Sequence, residues 1–141
     1  MISTVAVGVD ASATAGEAVK LAAELARRFD ARLVLLSAYG HADGAAPGHG
    51  GEHERDWATS GGARQREMVA RTEDRLRQEG VRCETLTAEG HPADVLVRLA
   101  EECGADILVV GNKGMQRRVL GSVPNTVTHK AGCSVLVVKT T

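Results

Sequence analysis

Short aliphatic runs alternating with helix-patterned stretches most narrow the folds open to this chain. The runs read "STVAVGVD" (3–10), "ARLVLLSAY" (31–39), "ADILVVG" (105–111) and "SVLVVKT" (134–140). All four are rich in Val, Leu and Ile; the first three read as strands buried on both faces, and the fourth reads as the last strand, an apolar edge. A further run, "VRCETLTAE" (81–89), alternates and predicts an edge strand. Helix patterns fill the gaps, so strands and helices take turns along the whole chain. That order predicts an α/β fold: one open, five-stranded parallel sheet with helices on both faces. The common order for such a sheet is 3-2-1-4-5, with the first strand central. A length of 141 residues suits a single domain, 1–141.

The first helix follows from "ASATAGEAVKLAAELARRF". Ala18, Leu21, Ala22, Leu25, Ala26 and Phe29 share one helical face. Thr14 with Glu17 forms a capping box, and Ser12 competes as the cap. Residues 63–79 are charged, with a thin stripe of Met68, Thr72 and Leu76, and read as a solvated helix. "HPADVLVRLAEECG" predicts a helix with His91 and Pro92 at its start and Gly104 past its end. Its buried face is expected to be Leu96, Leu99, Ala100 and Cys103. A last helix covers 121–131, with Pro124 in its first turn and His129 and Lys130 in its last, where positive charge suits the dipole.

Several function classes are excluded at this level. Net charge is -1, so no global field draws nucleic acid or an anionic membrane. Aromatics are 2%, from Phe29, Tyr39 and Trp57, too few for a stacking platform. No basic segment followed by an apolar stretch opens the sequence, so no signal peptide is expected, and no run reaches bilayer length. A cytoplasmic chain with reduced thiols at Cys83, Cys103 and Cys133 is expected. Residues 40–62 hold seven glycines and no periodic apolar face, and predict a flexible loop with a short helical turn near Trp57. His41, His49 and His53 lie there beside Glu52, Glu54 and Asp56, but their spacing matches no metal-ligand pattern. "SGGAR" (60–64) follows no strand and is not read as a phosphate loop. No Ser-His-Asp or Cys-His constellation can be assembled. No residue is placed as a general base for water, so hydrolysis is expected to be slow or absent, with Asp10 the one candidate for a catalytic group.

Chemistry concentrates in "GNKGMQRRVLGS" (111–122). In an open parallel sheet the ligand crevice lies beyond the carboxyl ends of the strands, where strand order reverses. Here that point falls between strands one and four, which end near Asp10 and Gly111. Gly111 and Gly114 would let phosphate approach and permit positive φ. Gly121–Ser122 opens the last helix, where free N–H groups, the Ser122 hydroxyl and the helix dipole suit an anion. Lys113, Arg117 and Arg118 would neutralise its charge.

Strand-end Asp10, "ADILVVGNKG" and "GSVPNTVTHKAGCSVLVV" together resemble the universal stress protein family, across essentially the whole chain. The resemblance implies a Rossmann-like fold of the adenine nucleotide alpha hydrolase type. Its ATP-binding members carry two glycines separated by two residues, then a nine-residue spacer, then Gly with Ser or Thr. The pieces match Gly111, Gly114, Gly121 and Ser122. Only the six residues Met115–Leu120 form the spacer, three fewer than the family's nine. The branch that does not bind ATP lacks these glycines.

By resemblance, Val9 and Asp10 line the ribose and adenine side, and Ala38 meets the base through its backbone. Val110, Gly111 and Gly114 flank sugar and phosphates, while Gly121, Ser122 and Val123 hold the phosphates. The implied ligand is ATP or another adenine nucleotide, AMP or cyclic AMP. A bridging Mg²⁺ is compatible and not demanded by any residue. The resemblance also implies a homodimer through strand 134–140, and a role in stress response. The shortened spacer favours a second expectation, a dimeric interaction module that binds no nucleotide.

Overall fold

The computed structural model describes residues 1–9, 13–40, 62–112 and 121–139. The Ser12 cap, the Thr14 side chain and positions 41–61, with Trp57 and three histidines, lie outside the described residues. The elements run β1 (Thr4–Gly8), α1 (Ala13–Phe29), β2 (Arg32–Tyr39), α2 (Gly62–Gln78), β3 (Cys83–Glu89), α3 (Pro92–Glu102), β4 (Ile107–Asn112), α4 (Ser122–Lys130) and β5 (Ser134–Lys139). All sheet pairings are parallel and the order is β3-β2-β1-β4-β5, as expected.

The period-two alternation of a strand divides the core in two. Val5, Val7, Leu33, Leu35 and Val109 face α1 and α2, while Ala6, Val34, Leu36, Leu108 and Val110 face α3 and α4. With both faces covered, β1, β2 and β4 are aliphatic along most of their length, which is why their runs showed no alternation.

Two helices differ from the periodicity reading. In α1 the buried positions are Ala18, Val19, Ala22, Ala23 and Ala26; Leu21 and Leu25 are half-buried and Phe29 is 46% exposed. Small side chains let the helix lie close on the sheet, so the alanine stripe faces inward and the larger residues flank it. In α2 the buried side chains are Gln65, Val69 and Leu76, with Met68 and Thr72 only half-buried. α3 buries Ala93, Val95, Leu96, Leu99 and Ala100, and Cys103 is half-buried at its C-cap. Gly104 follows at φ +67°, a left-handed position that glycine takes without a Cβ penalty. Burial pushes the thiols of Cys83, Cys103 and Cys133 up, so they stay protonated at neutral pH.

At the amino ends of the strands β1 is tied to β4. Asp106 Oδ2 accepts from the N–H of Ser3 at 2.8 Å, the N–H of Thr4 at 2.9 Å and the Ser3 hydroxyl at 3.2 Å. The Asp106 N–H returns a bond to Thr4 O at 2.9 Å. The two backbone N–H groups hold the Asp106 carboxyl below the usual carboxylate range. The unfolded chain therefore binds a proton at Asp106 at higher pH than the folded chain does. The stabilisation is complete above the unfolded value, about 4, and is lost as pH falls through the folded one. The urea midpoint is expected to hold from about pH 7 to 5 and to drop below about pH 4. Asp106→Asn should lower the neutral midpoint and shrink the acid drop. An acid limb identical in both proteins would rule the carboxylate out as its source.

Candidate functional site

Pairing lengths define a crevice. β1 and β4 are in register from Val5↔Ile107 to Val7↔Val109 and no further. β4 stays paired with β5 as far as Asn112↔Lys139, and β2 with β3 as far as Tyr39↔Glu89. The sheet thus parts between its two central strands at their carboxyl ends, the switch point of this topology. Val9, 4% exposed, lies on one side; Val110, Gly111 and Asn112 lie on the other.

The β4 wall departs from expectation in one respect. Gly111 does not end the strand and is not among the glycines with positive φ. It continues the ladder opposite Val138, and Asn112 is the last strand residue. Asn112 is fully buried, and its Oδ1 accepts the N–H of Gly121 at 2.8 Å. This bond joins the tip of β4 to the start of α4 from inside. It also uses an N–H that was expected to be free for an anion.

Gly121 is the N-cap of α4, with φ -65° and ψ 170°, a conformation any residue adopts. What glycine supplies is room: a Cβ there would lie 3.2 Å from Asn112 Oδ1 and 3.7 Å from the Pro124 ring. Ser122 is exposed and Val123 half-buried at the head of α4. Pro124 has no N–H, and the Asn125 N–H bonds to Gly121 O at 3.0 Å. The first turn therefore presents the Ser122 and Val123 amides and the Ser122 hydroxyl.

The β1 wall rests on a buried polar strut. Gln65 of α2, 3% exposed, donates from Nε2 to Val9 O at 2.7 Å and to Ser37 Oγ at 2.7 Å. Ser37 is fully buried next to Ala38, which is 8% exposed. Gln65, Ser37 and Asn112 are site residues that motif reading missed. The signal for Gln65 was its spacing, four residues before Val69 and eleven before Leu76, on the buried stripe.

Of the expected site residues, the structure gathers Val9, Ala38, Val110, Gly111, Gly121, Ser122 and Val123 at the carboxyl edge. Asp10, Lys113, Gly114, Arg117 and Arg118 lie outside the described residues. Two grooves of about 350 and 240 Å³ sit at the opposite, amino edge, one by Arg27 and Arg75 and one by Ala105 and Cys133. They share no residue with the crevice. Among the described residues no group of three or more His, Cys, Asp or Glu is placed to hold a metal, and no helix is long and apolar enough to cross a membrane.

The family model of the universal stress protein family matches residues 1–139. Universal stress protein Rv1636 of Mycobacterium tuberculosis is 38% identical, over 98% of this chain and 97% of its own. A universal stress protein solved in complex with cAMP is 33% identical with a TM-score of 0.75, covering 99% of this chain and 98% of that one. UspA from Lactobacillus plantarum shares the fold, with a TM-score of 0.79 at 21% identity over 97% of each chain.

Proposed function

The chain belongs to the universal stress protein family, and from that premise we propose that it binds an adenine nucleotide between the carboxyl ends of β1 and β4 and acts as a stress-response regulator. The observation that carries this reading is the parting of the central strands beyond Val7–Val109, with the head of α4 bonded to one wall. The 33%-identical relative solved with cAMP supports it. In this reading Val9 and Asp10 line the sugar and base side, and the Ala38 backbone meets the base. Val110, Gly111 and Gly114 flank sugar and phosphate. Gly121, Ser122 and Val123 hold phosphate through backbone and hydroxyl, and Arg117 and Arg118 balance its charge. ATP, AMP and cyclic AMP are the ligands to test, ATP with and without Mg²⁺.

We also propose a cytoplasmic homodimer through β5. Val135, Leu136, Val137 and Val138 are only half-buried on an edge strand whose outer side has no strand neighbour among the described residues. Such an edge invites antiparallel pairing with its twofold mate.

A second reading is favoured by one observation: the Gly121 N–H is already satisfied by Asn112. In it the protein is a dimeric interaction module indifferent to nucleotide. Calorimetry and thermal unfolding with ATP, AMP and cyclic AMP at millimolar concentration separate the two. Binding at a hundredfold excess over Kd adds about 2.7 kcal/mol and lifts the melting temperature by several degrees. No heat and no shift with any of the three defeats the nucleotide reading and leaves the second.

A further inference from the structure

We infer that Gln65 is a positioning residue for the base end of the crevice: its amide takes the place of a sheet rung and so keeps the Ala38 main chain open to a ligand. The inference deepens the nucleotide reading and rests on it for the identity of the ligand.

The register fixes which rung is missing. β1 and β2 pair from Thr4↔Arg32 to Gly8↔Leu36, and the Val9 N–H still donates to Leu36 O at 2.8 Å. Parallel ladders alternate evenly, so the next bond would run from the Ala38 N–H to the Val9 carbonyl. That bond is not made. The Val9 carbonyl instead accepts Gln65 Nε2 at 2.7 Å. The other proton of the same nitrogen goes to Ser37 Oγ at 2.7 Å, so both are committed and the amide is a fixed strut.

The consequence falls on Ala38. Main-chain groups of Arg32, Val34, Leu36 and Ala38 point toward β1, because alternate residues of a strand bond to the same neighbour. Beyond Leu36 that neighbour has turned away to Gln65. Among the described residues the Ala38 N–H has no acceptor, although Ala38 is only 8% exposed. An enclosed main-chain donor is stable when water or a ligand supplies the acceptor. The N–H and C=O of Ala38 together offer a donor beside an acceptor. That pair matches the edge of adenine, where N1 accepts and the 6-amino group donates. Gln65 lies near the start of α2, so the seating of this helix sets the shape of the base end.

The test is amide hydrogen exchange by NMR on the full chain, with AMP as the probe. In the wild type without nucleotide, the Ala38 amide is expected to exchange at least about tenfold faster than the Leu36 amide. Gln65→Met keeps the length but cannot donate. It should free the Val9 carbonyl, close the rung and slow Ala38 exchange about tenfold without ligand, while AMP affinity falls about tenfold. An Ala38 amide as protected as Leu36 in the wild type, or exchange unmoved by Gln65→Met, overturns the inference. If the variant does not fold, the wild-type comparison decides alone. Failure of AMP to bind the wild type defeats the nucleotide reading instead, and the exchange comparison still judges the strut.

Discussion

Gly121→Val should reduce adenine nucleotide affinity by about a hundredfold or more while the protein remains folded. Valine can adopt the N-cap backbone at φ -65°, so no conformational strain is expected. Its Cβ would press on Asn112 Oδ1 at 3.2 Å, and its two methyl groups must project from a position already bounded by the Pro124 ring. The bond from the Gly121 N–H to Asn112 is then lengthened or lost, at a cost of about 0.5–1.5 kcal/mol. The same methyl groups cover the amides of Ser122 and Val123, the donors proposed to meet phosphate. Hydrogen bonds to a charged group contribute about 1.5–3 kcal/mol each, so losing two accounts for the hundredfold. Calorimetry would read the affinity and circular dichroism the fold. Undiminished binding by the folded variant would place the phosphate somewhere other than the head of α4.

Leu108→Ala should be among the most damaging single truncations in the sheet, lowering unfolding free energy by about 2–5 kcal/mol. Leu108 is fully buried in the second strand of the central pair. It sits opposite Ala6 on one side and Val135 on the other, within the core layer beneath α3 and α4. Its own strand is held by ladders on both sides, which limits how far the surroundings can collapse into the space left behind. Domains of this kind have about 5–15 kcal/mol in total, so the loss is a large share. Urea unfolding measures it directly. A loss below about 1 kcal/mol would mean that this layer can repack.

The strand order was legible because burial on both faces writes itself as unbroken Val and Leu runs; three of these, with one alternating run and one apolar edge run, all separated by helices, leave few topologies. The crevice was legible for a topological reason, since strand order reverses at β1 and β4. The inward face of α1 was legible only in part: Ala18, Ala22 and Ala26 are buried as the period places them. Leu21, Leu25 and Phe29 satisfy the same helical period as Val19, Ala23 and Ala26, and only the close seating on the sheet selects the alanine side. Gln65 and Asn112 escaped motif reading because polar residues in a charged helix or after a glycine look solvated. Their roles appear only once a strand end is found to need a partner that the ladder no longer supplies.

The Asp106 tie joins residues 103 positions apart in sequence, and the crevice likewise needs β1 and β4 side by side. During synthesis the first strand must wait until most of the polypeptide has left the ribosome before its second neighbour exists. Pairings so distant are late steps in assembly. A nucleotide bound there, as proposed, cannot guide the nascent chain; it can only reward the finished one, by shifting the equilibrium away from the unfolded state.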